Sequence, residues 1–247
     1  MDRRTFLMSA SALAVAGCAI RPTPRGVYEL TEVPAPRYRV GDRWTYRRTD
    51  GYNGLPRGIL TRAVTAVDAG GIRIVTQDEN GRVLDDARYE APGLQLAGTF
   101  TEDGPMIGRC ATPFREYDFP LVAGKKWRDA FYLDRDDLGG TRNYVTASLY
   151  AEGWEDIQVA DRSFHALVLR RALNLGEKSF WYGTMYRYET EWYVPTLRSF
   201  ARMRTEEEYY DRSGGGSGSG GGRGGGGGGI RAGDRFIYEL QSFQLAS

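Results

Sequence analysis

From residue 37 onward, apolar and polar positions alternate with a period of two. Residues 38–48, 58–67, 72–79 and 82–90 are rich in β-branched and aromatic residues and bounded by turn residues, so each predicts a strand. Trp44 and Tyr46 share one face of the first. Asp68-Ala69-Gly70-Gly71 turns the second into the third. Asn80-Gly81 predicts a tight type I′ hairpin between the third and fourth, because both central positions of that turn need positive φ. Residues 91–120 are interrupted by Pro92, Gly98, Gly104, Pro105, Gly108, Pro113 and Pro120, which predicts short strands and loops. Further strands are expected at 126–133, 141–152, 154–160, 164–175, 180–194 and 198–210, with a loop at 134–140.

The clearest alternation lies in 180–194. Phe180, Tyr182, Thr184, Tyr186, Tyr188, Thr190, Trp192 and Val194 fall on one face, while Arg187, Glu189 and Glu191 fall on the other. The expected strand is half-buried, with the aromatic face inward. With Pro195 and Arg198 bracketing the next turn, Glu191 is expected opposite Arg202, Glu189 opposite Arg204 and Arg187 opposite Glu206, each pair contributing less than about 1 kcal/mol.

Residues 213–229 are Gly and Ser apart from Arg223 and read as a flexible linker spanning about 23 Å root-mean-square. A phosphate cradle would need the Gly-Lys-Ser/Thr ending of a P-loop, which is missing. In 230–247, Phe236, Tyr238 and Leu240 alternate, and Phe243 and Leu245 continue in the opposite phase, predicting a bulge near Gln241-Ser242. Arg231-Ala232-Gly233-Asp234-Arg235-Phe236-Ile237-Tyr238 echoes Arg39-Val40-Gly41-Asp42-Arg43-Trp44-Thr45-Tyr46, and Gly124-Lys125-Lys126-Trp127 repeats the same Gly-basic-aromatic pattern. The expected fold is all-β: one strongly curved antiparallel sheet, forming a partly open barrel or a flattened sandwich. The expected organisation is a signal peptide at 1–17, a Pro-rich tether at 18–36, a β-rich domain at 37–212, the linker at 213–229, and a strand at 230–247 returning to the domain.

The first residues carry a different signal. Arg3 and Arg4 precede a short apolar stretch at 6–16, about half the length needed to span a bilayer, so an export signal is the better reading. Arg3-Arg4-Thr5-Phe6-Leu7 resembles the twin-arginine export signature, with ordinary Sec export as the alternative. Val15-Ala16-Gly17-Cys18 resembles a bacterial lipoprotein box, and the resemblance implies diacylglycerol on Cys18 and cleavage before it. Several acyl chains at about 0.8 kcal/mol per buried CH₂ give a stable anchor. Ala19, where an inner-membrane retention signal has Asp, favours the outer membrane, with the body facing the periplasm.

Val40-Gly41-Asp42-Arg43-Trp44-Thr45-Tyr46, Trp154-Glu155-Asp156-Ile157-Gln158-Val159-Ala160, Phe164-His165-Ala166-Leu167 and Trp192-Tyr193-Val194-Pro195 together resemble groups of bacterial envelope lipoproteins that have no established activity. Residues 160–164 depart from their usual turn. The resemblance implies a curved antiparallel β fold and no catalysis.

Composition narrows the chemistry. Lys+Arg number 33 and Asp+Glu 32, and removing Asp2, Arg3 and Arg4 leaves the mature body neutral, which argues against nucleic acid as a partner. With Cys18 lipidated, Cys110 has no partner for a disulfide and is expected to be a small half-buried hydrophobe. His165 is the only histidine, so no metal site and no cofactor is expected, and a Ser-His-Asp triad lacks its Gly-x-Ser-x-Gly elbow. The sequence 134–139 begins like a calcium loop, but Leu138 and Val145 occupy ligand positions. The acidic groups Asp85-Asp86, Glu102-Asp103 and Glu206 to Glu208 read as exposed edges. Tyr186, Tyr188 and Trp192 are the candidate ligand-facing aromatics, with ordinary core as the alternative. The expected function is that of a lipid-anchored, non-catalytic envelope lipoprotein binding a protein partner or an amphipathic ligand. A carboxylate-based periplasmic hydrolase or lyase, and a purely structural envelope protein, are the alternatives.

Overall fold

The computed structural model describes residues 31–101, 106–177, 179, 182–211 and 229–247. The signal-like segment with Cys18, the first part of the Pro-rich stretch, Phe180 and the Gly-rich run up to residue 228 lie outside them. The described residues form β1 (Arg43–Asp50), β2 (Pro56–Asp68), β3 (Gly71–Asp78), β4 (Val83–Ala91), β5 (Leu94–Thr99), β6 (Ile107–Arg115), β7 (Lys126–Arg135), β8 (Thr141–Val159), β9 (Arg162–Glu177), β10 (Tyr182–Val194), β11 (Ser199–Asp211) and β12 (Ile230–Gln244). Every strand pairs antiparallel with its sequence neighbours, and β12 also pairs with β1. The curved sheet predicted from the alternation therefore closes completely, and closure removes the exposed strand edges that invite aggregation.

The recurring Gly-basic-aromatic pattern starts strands on opposite sides of the barrel. Gly41, at φ +96°, donates its N–H to the Val64 carbonyl, and Val64 donates back to Asp42. Gly124, at φ +88°, makes the same exchange with Ala151, which donates back to Lys125. Each then sends a buried tryptophan, Trp44 or Trp127, into an apolar cluster. The β1 copy carries a further latch. Asp42 is fully buried and accepts from Arg198 Nη1 at 2.7 Å and from the Arg39 and Ala246 N–H groups at 3.0 and 2.8 Å. Trp44 Nε1 donates to the Leu197 carbonyl, and Tyr46 hydroxyl to that of Phe200. The stretch Asp42 to Tyr46 thus holds β1 to the short 3₁₀ turn Pro195–Leu197 between β10 and β11.

Several local expectations change. The body begins before Arg37, because Val33 is buried and forms a bridge with Leu121. At Asn80-Gly81 only Gly81 has positive φ. Asp78 and Arg82 close a longer loop, in which Asp78 Oδ1 accepts from the Asn80 and Arg82 N–H groups. The segments expected at 141–152 and 154–160 are one bent strand, irregular between Ala151 and Gly153. The phase change near Gln241-Ser242 is a bulge: Thr45 faces Ser242 and Tyr46 faces Leu240.

The β10–β11 hairpin forms, but its charge pairs are not those expected. Tyr193 faces Phe200 and Val194 faces Ser199, in the anticipated register. A bulge then leaves Ala201 as an extra residue, so Trp192 faces Arg202, Glu191 faces Met203 and Glu189 faces Thr205. The inserted residue moves the β11 side chains beyond it to the other face, so that Thr205 and Glu207 are buried. Met185, Arg187, Glu191 and Tyr193 are buried on the lumen side, whereas Tyr188 is 40% exposed. It is therefore the charged face of β10 that points inward.

Eight strands enclose about enough room for their own side chains. Twelve enclose more, and this lumen is filled unevenly. One apolar cluster gathers Phe100, Phe114, Phe131, Leu133, Leu167, Leu169 and Leu175; the other gathers Trp44, Tyr46, Leu60, Ile74, Phe200 and Tyr238. Polar side chains and a cavity lie between them.

Candidate functional site

The cavity encloses about 200 Å³. Its walls come from both clusters, with Leu60, Phe100, Phe114, Leu173, Phe200 and Met203 among its apolar residues. Arg62, Arg171, Arg187, Asp85, Glu116, Glu189 and Glu191 supply the charge. Strand phase explains how these charges came inside. Arg171 sits in step with Leu167, Leu169, Leu173 and Leu175 on β9, Arg62 with Leu60 and Val64 on β2, and Glu116 with Phe114 just after β6.

Most of the charges neutralise one another in a ladder across β9, β10 and β11. Arg171 Nη1 donates to Glu189 at 2.8 Å and Nη2 to Glu191 at 2.5 Å. Arg187 donates through Nε to Glu189 at 2.6 Å and through Nη1 to Glu207 at 3.0 Å. Tyr117 hydroxyl donates to Glu191 at 2.9 Å, and its ring lies under the Arg171 guanidinium, 4.6 Å from the centroid. Burial acts to raise the Glu189 pKa, but the charges and hydrogen bonds of Arg187 and Arg171 outweigh it and hold the group down to about 2. Such pairs offset a desolvation penalty rather than adding much net stability.

Glu116 and Arg62 are placed differently. Glu116 Oε1 is 3.8 Å from Arg171 Nη2, an ion-pair contact, and its buried Oε2 has no hydrogen-bond partner. Burial, only partly offset by Arg171 and Arg62, raises its pKa above 4.5. Asp85 is shifted the same way by burial, although its Oδ1 accepts the Thr99 N–H. Arg62 donates to Tyr89 hydroxyl at 3.4 Å, and among the described residues no carboxylate oxygen lies within 4 Å of it. A guanidinium has five N–H donors and stays charged at any physiological pH, so most of this one's donors have no protein acceptor. Burial raises the pKa of Tyr46, Tyr89 and Tyr117, keeping these hydroxyls neutral donors.

The residues singled out from the sequence lie elsewhere. None of Tyr186, Tyr188 and Trp192 is among the residues that line this cavity. Tyr188 faces outward, in a groove with Lys126, Arg128, Tyr150 and Arg170. Trp192 is buried, with Nε1 donating to Glu155 and the guanidinium groups of Arg202 and Arg204 over its ring. Cys110 lies in the first apolar cluster, its thiol pushed by burial up to about 12. His165 is exposed, stacked on Trp154 with Nδ1 2.7 Å from Asp156. In the calcium-like loop, Asp134, Asp136 and Asp137 are paired with Arg142, Arg109 and Arg135. Among the described residues no group of three or more His, Cys, Asp or Glu is arranged to hold a metal ion.

No protein-family model matches the chain, and no curated protein does. Among solved structures it is similar to a protein of Bacteroides fragilis NCTC 9343 described as exported and of YmcC-like fold, at 14% identity and a TM-score of 0.45 over 87% of this chain and 100% of that one. A protein of Parabacteroides distasonis ATCC 8503 described as a lipoprotein is similar at 14% identity and a TM-score of 0.44, over 86% and 99% of the two chains. The hypothetical lipoprotein YmcC of Escherichia coli K12 is similar at 9% identity and a TM-score of 0.36, over 74% and 92%. These likenesses assign no role to any residue.

Proposed function

We propose that this is an exported, lipid-anchored cell-envelope protein whose barrel is a non-catalytic binding module for a small amphipathic ligand held in the lumen. The observation that carries the reading is the cavity between the two apolar clusters, which joins aromatic and aliphatic walls to a charged group, Arg62, with no carboxylate of the described residues within 4 Å. Pockets with mostly apolar walls and a few convergent polar groups are typical small-molecule sites. Export and anchoring rest on Arg3-Arg4-Thr5-Phe6-Leu7 and on Val15-Ala16-Gly17-Cys18, and the outer-membrane assignment on Ala19. The outward faces carry ion pairs such as Arg73–Asp86 and Arg170–Glu152, which suit water rather than a lipid-facing apolar band.

The carboxylate-catalysis reading has one observation in its favour: Glu116 and Glu191 meet at the same nitrogen of Arg171. Yet both Glu191 oxygens are engaged by Tyr117 and Arg171, which leaves Glu116 as the one loosely held carboxyl of the two. Catalysis of that kind needs two groups with separate duties.

Native mass spectrometry of the protein extracted from its own membrane tests the proposal. The expected result is an acylated Cys18 and a non-covalent small molecule released on denaturation. An unacylated amino terminus refutes the anchor, and a lumen that carries no small molecule in any preparation refutes the binding module.

A further inference from the structure

We infer that Arg62 is an anion subsite, and that the ligand of the lumen is a small monocarboxylate with an apolar body; this rests on the lumen-binding reading above. Arg62 stands in the core phase of β2 between Leu60 and Val64, yet keeps accessible surface that faces the cavity. Among the described residues its one hydrogen bond is the long one to Tyr89, whereas Arg171 and Arg187 in the same lumen each hold carboxylates at hydrogen-bond distance. A planar guanidinium with spare donors is suited to two-point recognition of a carboxylate. The acids near it limit the charge it can take. Glu116, Asp85 and Glu191 line the same space, so a single negative charge is better tolerated than a double one. Size limits the rest: a cavity of about 150 Å³ accepts benzene, so one of about 200 Å³ accepts a ring with a short acidic arm. Phe100, Phe114 and Phe200 supply aromatic walls for it.

An interior guanidinium whose donors mostly lack acceptors costs stability, because no hydrogen bond replaces the water that it loses. That gives the test two independent readouts. Calorimetric titration of the mature chain at pH 7.5 with phenylacetate, 2-phenylethanol, 2-phenylethylamine and phenyl phosphate reads the charge preference. Thermal melts of wild type, Arg62→Met and Arg62→Lys read the structural role. The expected result is phenylacetate bound at least tenfold more tightly than the other three. Arg62→Met abolishes that preference and melts no lower than wild type, while Arg62→Lys retains part of the preference. Alcohol or amine binding as tightly as phenylacetate overturns the anion subsite and leaves the lumen reading standing. Phenyl phosphate binding more tightly overturns the carboxylate class. A fall of several degrees in the melting temperature of Arg62→Met makes Arg62 structural and overturns the inference. Binding of none of the four at millimolar concentration overturns the lumen reading itself.

Discussion

Replacing Arg171 by Met tests the electrostatic account of the lumen most severely. Arg171 is 4% exposed and faces Glu191 at 1%. Removing the guanidinium leaves Glu191 buried with only Tyr117 as a hydrogen-bond donor, and leaves Glu189 to Arg187 alone. Breaking a buried ion pair from one side costs about 3–5 kcal/mol. Glu189 keeps Arg187, so the cost falls mainly on Glu191 and lies toward the lower end of that range. A loss of about 3–4 kcal/mol is therefore expected, a large fraction of the 5–15 kcal/mol typical of a folded domain. Urea unfolding at pH 7 measures it. Because a stranded interior carboxylate takes up a proton more readily than an exposed one, the native variant binds more protons than its unfolded chain. The deficit should shrink as pH is lowered toward 4. The double variant Arg171→Met/Glu191→Met, which replaces both charges with apolar volume, should recover most of the loss. A single-variant cost under about 0.5 kcal/mol, the range of ordinary surface substitutions, or a double variant no better than the single, would mean that Arg171 does not hold these carboxylates in the lumen.

Other outcomes follow from the same geometry. Glu116→Gln should be more stable than wild type at pH 7, with the advantage vanishing below about pH 4.5. Burial raises the pKa of Glu116, so its contribution to stability falls as pH rises above the unfolded value; parallel pH–stability curves would contradict this. Glu189 has the opposite sign: the stability it contributes is present above its ordinary 4.5 and lost as pH falls toward about 2, and Glu189→Gln should flatten that acid limb of the unfolding curve. Asp42→Ala should cost about 3–5 kcal/mol in chemical denaturation, because it strands Arg198 and two backbone N–H groups at the β1 latch. Tyr188→Ala should leave lumen binding within twofold of wild type by calorimetry, since Tyr188 lies on the outside of the wall.

The all-β class and nearly every strand are legible in the alternation, because a half-buried strand writes its two faces directly into the sequence. The side of β10 that faces inward is not. Its aromatic face is the more apolar, so transfer energy alone puts Tyr186 and Tyr188 inside, whereas the closed twelve-strand barrel has room to pair Arg187, Glu189 and Glu191 with Arg171 and Glu207 there. The bulge at Ala201 reverses the facing of β11 and brings Met203, Thr205 and Glu207 inward beside them, and nothing in an isolated strand announces it. The charges of the lumen did leave a trace. Arg171 among alternate leucines, Arg62 between Leu60 and Val64, and Glu116 two residues after Phe114 are each a charge in a core phase. Such positions are costly unless the interior is wide enough to pair them, and that width is set by strand number, which depends on pairings such as β12 with β1 that a strand-by-strand reading does not count. The recurring Gly-basic-aromatic pattern was visible as an echo, and the structure gives its reason in the Gly41–Val64 and Gly124–Ala151 exchanges.

Backbone and methyl chemical-shift mapping of the isotope-labelled protein, titrated with phenylacetate, locates the bound ligand. Saturable shifts are expected at Leu60, Thr99, Leu173 and Met203, which line the lumen on four different strands or their ends. Shifts concentrated instead at Lys126, Ser148, Tyr150, Ala172 and Tyr188 would place the ligand in the outer groove and contradict the lumen site.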